Sequence, residues 1–226
     1  MRTAHLLTAT LAALIALAAP ARAQEEQGLV DKARVSLESM AAQEDMIEMR
    51  RMLAKAQGVF IAPQMIKAGF IVGGEGGSGV LLTRDPNSGA WSPPAFYTLA
   101  AGSVGWQFGG EVSELVLVIN TAKGLDAMLK SGFKAGVDAA IAAGPIGKGI
   151  GAATTANLRN DIFTFSRAQG LFAGVSLEGA VIQPRDNWNE SYYGKKLTPR
   201  EIVAGGGGAG RGSDALRQAL SKAELR

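Results

Sequence analysis

The sequence predicts an α+β fold in which a twisted, mainly antiparallel sheet, either open or barrel-like, carries an N-terminal amphipathic helix and a few short helices. Short β-branched and aromatic segments recur between glycine-rich turns, which is typical of strands. Thirty glycines and 6% aromatic residues in 226 positions indicate many turns and closely packed strands. Because 47% of the residues are hydrophobic, one domain with a substantial core is expected.

The central stretch is residues 67–82, where two apolar segments flank a glycine-rich run. Residues 74–79 match the dinucleotide fingerprint G-x-G-x-x-G. A strand and a turn follow, however, and not the helix that would bind a pyrophosphate. We therefore predict a hairpin with a tight glycine loop, which either binds a ligand or only packs closely. The glycines of this predicted loop are Gly73, Gly74, Gly76, Gly77 and Gly79.

Residues 28–56 are predicted to be helical, because apolar residues recur at i, i+3 and i+4. The pattern is interrupted at residues 43–45, which predicts a kink or two helices. An amphipathic helix of this kind can lie on a membrane or pack against its own domain. The acidic residues on its polar face favour packing against its own domain over binding to a membrane.

Further elements follow from periodicity and turn signals. The predicted order is bent strands within 95–108, a buried strand at 115–119, a helix at 122–130, extended segments within 133–156, a hairpin of strands 162–166 and 171–182, and a helix at 186–193. Residues 204–226 are predicted to be a glycine-rich linker and a C-terminal tail, either a short helix or frayed.

The composition excludes several kinds of chemistry. There is no cysteine, and the one histidine is His5, near the N terminus. The part of the chain after residue 5 therefore cannot carry Ser-His-Asp catalysis, Cys-His catalysis or one of the usual zinc sites. Ser131 and Lys134 fit S-x-x-K, but the partner motifs S-D-N and K-T-G are absent. We predict a non-enzymatic protein with no cofactor or metal, and a net charge of only +3 disfavours nucleic acid.

Residues 1–23 resemble a secretory signal peptide. Arg2 precedes an apolar run at residues 6–19, and the segment ends with Ala21-Arg22-Ala23, a small-residue cleavage motif. This predicts cleavage after Ala23 and a periplasmic product. Without a cysteine there is no lipobox, so no lipid anchor is expected.

Three sets of motifs carry a family resemblance: the block from Lys67 to Gly79, the Trp91-Ser92-Pro93-Pro94 segment, and the stretch from Ser166 to Gly179. Together they resemble the SYLF domain family, a lipid-binding domain also called the Ysc-type actin-binding domain. The resemblance covers residues 28–203 and places a lipid-binding domain at 24–203.

The resemblance implies binding of anionic lipid head groups, phosphoinositides in eukaryotic relatives, through the amphipathic helix and basic residues. The expected partner is an anionic phospholipid or a membrane surface, and actin is not expected in a periplasm. The alternative is a structural periplasmic protein that contacts other envelope proteins and has no lipid ligand. The candidate lipid-binding residues are Arg50, Arg51, Lys55, Lys67, Lys134 and Lys148.

Overall fold

The structure, a computed structural model, describes residues 24–69, 72–104, 111–147, 160–168, 171–173, 177–208, 210 and 212–225. Within these residues the chain forms one curled, mainly antiparallel half-barrel sheet with helices packed against it. The predicted α+β class is confirmed.

The elements follow one another with short connections. The helices are α1 (24–41), α2 (Ile47–Leu53), α3 (Ala122–Met128), α4 (Asp186–Tyr193), α5 (Pro199–Glu201) and α6 (Asp214–Ala223), with a 3₁₀ turn at Glu44–Met46 and a π turn at Ile202–Gly206. The strands are β1 (Gly58–Gly69), β2 (Val72–Thr83), β3 (Ala95–Val104), β4 (Glu111–Ile119), β5 (Phe133–Lys134), β6 (Ile141–Ala143), β7 (Ile162–Ala168), β8 (Leu171–Ala173) and β9 (Val181–Pro184).

The strand order across the sheet is β5-β9-β3-β2-β1-β4-β7-β6, and β8 pairs with β7. The pairs are antiparallel except β6 with β7, which is parallel. The two longest strands, β1 and β2, lie in the middle and pair with β4 and β3 on their outer sides. The glycine-rich segment is therefore central to the sheet.

Both faces of the sheet carry a hydrophobic core, since successive residues of a strand point to opposite sides. On the α1 face, Val80 and Val116 pack with buried residues of α1, α2 and α6. On the α3 face, Leu81 and Leu117 pack with Met128 of α3 and with residues of β5 and β9.

A β-bulge in β1 sets which residues face which core. Between Ile61 and Gln64, β1 has one more residue than either neighbouring strand. Ile61 belongs to the α1 face before the bulge, and Met65 belongs to the α3 face after it. The extra residue therefore places Ile66 on the α1 face and Lys67 on the α3 face.

The N-terminal helical region is interrupted at residues 42–46, as predicted, so that α1 and α2 are separate helices. Its apolar stripe is buried against the sheet, with Val30, Leu37, Met40 and Met49 at most 1% exposed. Of the two alternatives for this amphipathic region, the structure therefore shows packing against its own domain. None of the helices in the described part of the chain has the length and apolar character needed to cross a bilayer.

The predicted glycine loop is wrong. The hairpin of β1 and β2 exists, but Gly73, Gly74, Gly76, Gly77 and Gly79 lie inside β2 and pair with β1, β3 or both. Residues 70–71, between the two strands, are outside the described residues. A glycine without a positive φ can extend like any residue, and the close approach of neighbouring side chains explains two of the five, as described below.

Two other expectations differ from the structure. Of the predicted strand at 171–182, β8 pairs with β7 as a hairpin, whereas β9 pairs with β3 and β5. The C-terminal tail, predicted to be either a short helix or frayed, forms the short helix α6, but its Leu216 and Leu220 are fully buried in the core of the α1 face. This segment is therefore packed into the domain.

Candidate functional site

The glycines of β2 fall into two groups that face opposite sides of the sheet. A Cβ atom on Gly77 would overlap the backbone of Gln64 and the sulfur of Met65, and one on Gly79 would overlap the ring of Phe60. These two glycines allow the strands and the core of the α3 face to pack closely. Their role is structural.

The other group has no such packing reason. A Cβ on Gly74 would have no atom nearer than 4.0 Å, one on Gly76 none nearer than 3.5 Å, and one on Gly102 of β3 none within 4 Å. None of the three has a positive φ. Glycine inside a strand weakens it and often marks a place where a ligand or another backbone approaches closely. These three glycines share the α1 face.

Around these glycines the sheet presents a surface without charge, which we call the uncharged platform. By the strand register, the residues at neighbouring positions in one row across five strands are Val181, Ala100, Gly76, Ile66 and Val112. Gly74 pairs with Gly102 two residues further along the strands, on the same face as this row. Ile66 is 51% exposed and Val112 is 55% exposed, so helix α1 leaves them uncovered.

Lysines flank the uncharged platform on two sides. Lys134 pairs with Val181 across β5 and β9, and therefore continues the same row on the same face. Its backbone N–H donates to Asp138, and its side chain is exposed. Lys32, exposed on α1, lies beside Ile66 and Gly76 in the cleft described below.

Helix α1 runs along the edge of the platform. Glu25, Gly28 and Lys32 border Ile66 and Gly76, and Ser39 accepts a 2.6 Å hydrogen bond from Arg167 on β7. Val35 lies between Lys32 and Ser39 on this stripe and is 53% exposed. It extends the apolar surface of the platform along the helix.

The opposite side of the same sheet end is charged. Lys67 pairs with Glu75 on β2 and with Glu111 on β4, so two carboxylates flank one ammonium group. Partial burial raises the pKa of Glu75, Lys67 lowers it in part, and Glu111 raises it further. The charge of Lys67 is thus offset locally, which disfavours Lys67 as a free phosphate ligand.

The three basic residues of the N-terminal region, Arg50, Arg51 and Lys55, do not lie beside the uncharged platform. Arg51 is paired with Glu48, and Arg50 donates a 3.2 Å hydrogen bond to the carbonyl of Ala223. Lys55 is exposed just before β1 begins at Gly58. Lys67 follows Gly58 by nine residues along that strand, so the two ends of this segment are roughly 30 Å apart. The predicted basic set therefore does not form one cluster, and its remaining member, Lys148, lies outside the described residues.

A cleft of about 520 Å³ separates the first turns of α1 from the bulge of β1 and from β2. It adjoins the platform at Ile66 and Gly76. Its walls are formed by Gln24, Glu25, Gly28, Leu29 and Lys32 from α1, by Pro63, Gln64, Ile66, Gly76, Gly77 and Ser78 from the strands, and by Trp188 from α4.

Arg185 contacts two residues of the cleft wall, Ser78 and Trp188. Its guanidinium donates a 2.6 Å hydrogen bond to Ser78 and lies 3.6 Å from the centre of the Trp188 ring. Burial lowers the pKa of Arg185, whereas Glu26 and Glu25 raise it. The cation is therefore held between the aromatic ring and the acidic start of α1.

Comparison with known proteins decides the family. The sequence profile of the Ysc84 family, described as "Las17-binding protein actin regulator", matches residues 100–223, more than half of the chain. The chain belongs to the Ysc84 family. The match includes α6, so the likeness to the Ysc84 family extends beyond the predicted limit at residue 203. The expected membership of the SYLF family is confirmed.

Relatives within the Ysc84 family are longer than this chain. Human SH3 domain-containing YSC84-like protein 1 is 35% identical over 162 residues, which cover 71% of this chain and 47% of the relative. The Xenopus laevis protein of that name is 36% identical over 155 residues, 68% of this chain and 46% of the relative. Yeast LAS seventeen-binding protein 3 is 34% identical over 156 residues, which cover 68% of this chain and 34% of the relative. The chain therefore spans about half of these relatives, or less.

For this member of the Ysc84 family, sequence reasoning named Lys134 and the glycine-rich stretch, the latter as a loop, but did not name Ile66, Val112 or Lys32. The two apolar residues fit a strand pattern that predicts burial. Within the described residues, no group of three or more acidic or histidine side chains could hold a metal ion. The site offers apolar surface, glycine backbone and separate cations.

Proposed function

We propose that this domain is a non-enzymatic module that binds anionic membrane lipid through the uncharged platform. One observation carries the proposal: a row from Val112 to Val181, whose residues are exposed or half-buried, contains no charge and continues into Lys134. Lys32 stands on a second side. Apolar side chains between cations are the combination that peripheral proteins use at anionic bilayers.

The expected affinity is modest and depends on salt. Ile66, Val112 and Val35 are each about half exposed, so a bilayer would remove further apolar surface from water. Each lysine close to an anionic bilayer contributes about 1 kcal/mol at low salt, and added salt screens this contribution. Binding should therefore require both the apolar residues and the lysines.

The proposed setting is a bacterial envelope. The signal-like residues 1–23 support export with cleavage after Ala23, and a periplasm supplies anionic phospholipid head groups. The family description and the yeast relative's name refer to Las17 binding and actin regulation. We do not carry these partners over, because actin would be absent from that compartment.

Vesicle co-sedimentation of residues 24–226 tests the proposal. Vesicles of phosphatidylcholine alone are compared with vesicles that contain phosphatidylglycerol, at low and high salt. We expect binding to the anionic vesicles only, and loss of binding in the double variant Ile66→Glu, Val112→Glu. The matched control is Leu171→Glu, since Leu171 is 76% exposed and, through its pairing with Ala168 and that of Ala168 with Ser113, lies on the α3 face, opposite the platform.

Equal binding by both variants would refute the platform as the contact surface. Absence of binding to any vesicle would refute the lipid proposal for this protein and favour the structural alternative. In that case the platform would contact an envelope protein, which cross-linking from residue 66 in intact cells would capture.

A further inference from the structure

The cleft between α1 and the sheet has features that the membrane contact alone does not require. It is a recess of about 520 Å³, within the size range of small-molecule sites, whereas a bilayer surface would contact the flat platform. Its floor is the backbone of Gly76 and Gly77, and its opposite wall is the helix stripe of Gly28, Leu29 and Lys32.

Glycines on both walls keep the cleft wide. A Cβ on Gly28 would meet no atom within 4 Å, and one on Gly76 would meet none nearer than 3.5 Å. Internal packing therefore leaves room for alanine at both positions. A glycine in a helix interior costs about 1 kcal/mol relative to alanine, and one in a strand is also unfavourable. Both glycines preserve space that only a molecule from outside would fill.

The chemistry of the lining varies along the cleft. Leu29, Pro63 and Ile66 give it apolar walls, and Lys32 stands at the side of Ile66. Glu25 lies seven residues before Lys32, about 10 Å away along the helix, and Arg185 interacts with it electrostatically. The acidic end is thus partly compensated, and Lys32 is the cation available to an anionic group at the platform end.

We propose that this cleft binds one alkyl chain of a single-chain anionic amphiphile, with the carboxylate or phosphate of the ligand at Lys32. The alkyl chain would lie over Gly76 and against Gly28, Leu29 and Ile66. This goes beyond binding to a bilayer surface, because the ligand is one molecule held in a recess. It is separable from the platform, since Gly28 is not part of the platform.

The test uses residues 24–226 and dodecanoate below its micellar concentration, with dodecanol and acetate as probes of the chain and the head group. Binding is followed by isothermal titration calorimetry and by chemical shifts of labelled Gly28. We expect saturable binding of dodecanoate at one site, weaker binding of dodecanol and none of acetate. Equal affinity for dodecanol would overturn the role of Lys32, and absence of saturable dodecanoate binding would overturn the site.

Variants locate the ligand. Gly28→Leu and Gly76→Val should fill the cleft and weaken dodecanoate binding by roughly tenfold or more. Gly102→Val adds the same volume on the same face outside the lining, and should leave binding unchanged. Because a Cβ on Gly28 would meet no atom within 4 Å, Gly28→Leu should fold normally, which circular dichroism verifies. Unchanged binding in both cleft variants would overturn the proposal.

Failure of this inference is distinguishable from failure of the proposed function. If Gly28→Leu abolishes dodecanoate binding but keeps vesicle binding, the two activities are separate, as proposed. If the double variant at Ile66 and Val112 loses vesicle binding while the unmodified protein never binds dodecanoate, the membrane proposal stands and the cleft proposal falls.

Discussion

The carboxylate of Glu224 lies 2.9 Å from the guanidinium of Arg84, and its other oxygen accepts a 3.0 Å hydrogen bond from the indole of Trp91. Arg84 also donates to the carbonyl of Ala54. Arg84, in the segment that follows β2, thus contacts both the end of α2 and the carboxylate after α6. The side chain of Glu224 is only 1% exposed, so this ion pair is largely shielded from water.

Glu224→Gln should destabilise the protein strongly. Removing one partner of a buried ion pair leaves the other charge uncompensated, which typically costs about 3 kcal/mol or more. Urea unfolding followed by circular dichroism measures the change. The control is Asp126→Asn, whose pair with Arg200 is exposed on both sides and should change stability by less than about 1 kcal/mol. Equal effects of the two substitutions would contradict the assignment.

Alanine at the glycines of β2 should separate the two groups. Gly79→Ala would place a methyl group into the ring of Phe60 and should cost about 1 to 3 kcal/mol. Gly74→Ala faces open space and should be neutral or stabilising by up to about 1 kcal/mol, because alanine restricts the unfolded chain. Thermal unfolding of both variants measures this. A loss in Gly74→Ala as large as that in Gly79→Ala would refute the distinction.

The raised pKa of Glu75 makes a prediction about pH. The folded protein binds a proton at Glu75 more readily than the unfolded chain does, so stability falls as pH rises through the usual glutamate pKa towards the raised value. Glu75→Gln removes the charge that burial disfavours. We expect this variant to be more stable than the wild type near pH ~7, with the difference shrinking as the pH falls towards ~4.

Asp161 provides a comparison of opposite sign. Burial raises its pKa, but hydrogen bonds from Thr121, from the N–H of Ala140 and from Lys123 outweigh burial and lower the pKa overall. Its contribution to stability is present above the unfolded pKa and is lost as the pH falls through the folded one. Asp161→Asn should therefore be less stable than the wild type near pH ~7. Parallel pH profiles for the Glu75 and Asp161 variants would contradict both assignments.

Charge reversal should rank the lysines by their place in the fold. Lys134→Glu adds a negative charge beside the platform, and should weaken binding to phosphatidylglycerol vesicles and reduce its salt dependence. Lys55→Glu changes the net charge equally but lies near the start of β1, far along the strand from Ile66. It should have little effect. A larger effect at Lys55 would move the membrane contact to the region of α2.

The sequence was sufficient for the class of fold, the break between α1 and α2, and the hairpin of β1 and β2. Each of these depends on local periodicity or turn chemistry. The position of the glycines inside β2 was not predictable in this way, because a glycine-rich run is typical of loops. Only the neighbouring Phe60 and Met65 explain why Gly77 and Gly79 belong in a strand.

The candidate site was predicted less well, since it depends on contacts between distant segments. Arg50 has the charge expected of a phosphate ligand, but α6 docks beside it and the carbonyl of Ala223 accepts its hydrogen bond. Ile66 and Val112 have the sequence character of core residues. They are exposed because α1 runs beside their row and does not cover it, and no local pattern encodes this position of the helix.

The bulge at residues 61–64 decides how β1 would respond to a change in its length during evolution. Because the side-chain alternation of a strand has a period of two, loss of the one extra residue would leave Ile66 and Lys67 on their present faces, with regular pairing in place of the bulge. Loss of a residue between the bulge and Ile66 would instead exchange the two faces, and would bring an ammonium group onto the uncharged platform and an isoleucine between the two glutamates. A single codon loss after the bulge, without any substitution, could thus convert a surface suited to lipid into one suited to a polar partner.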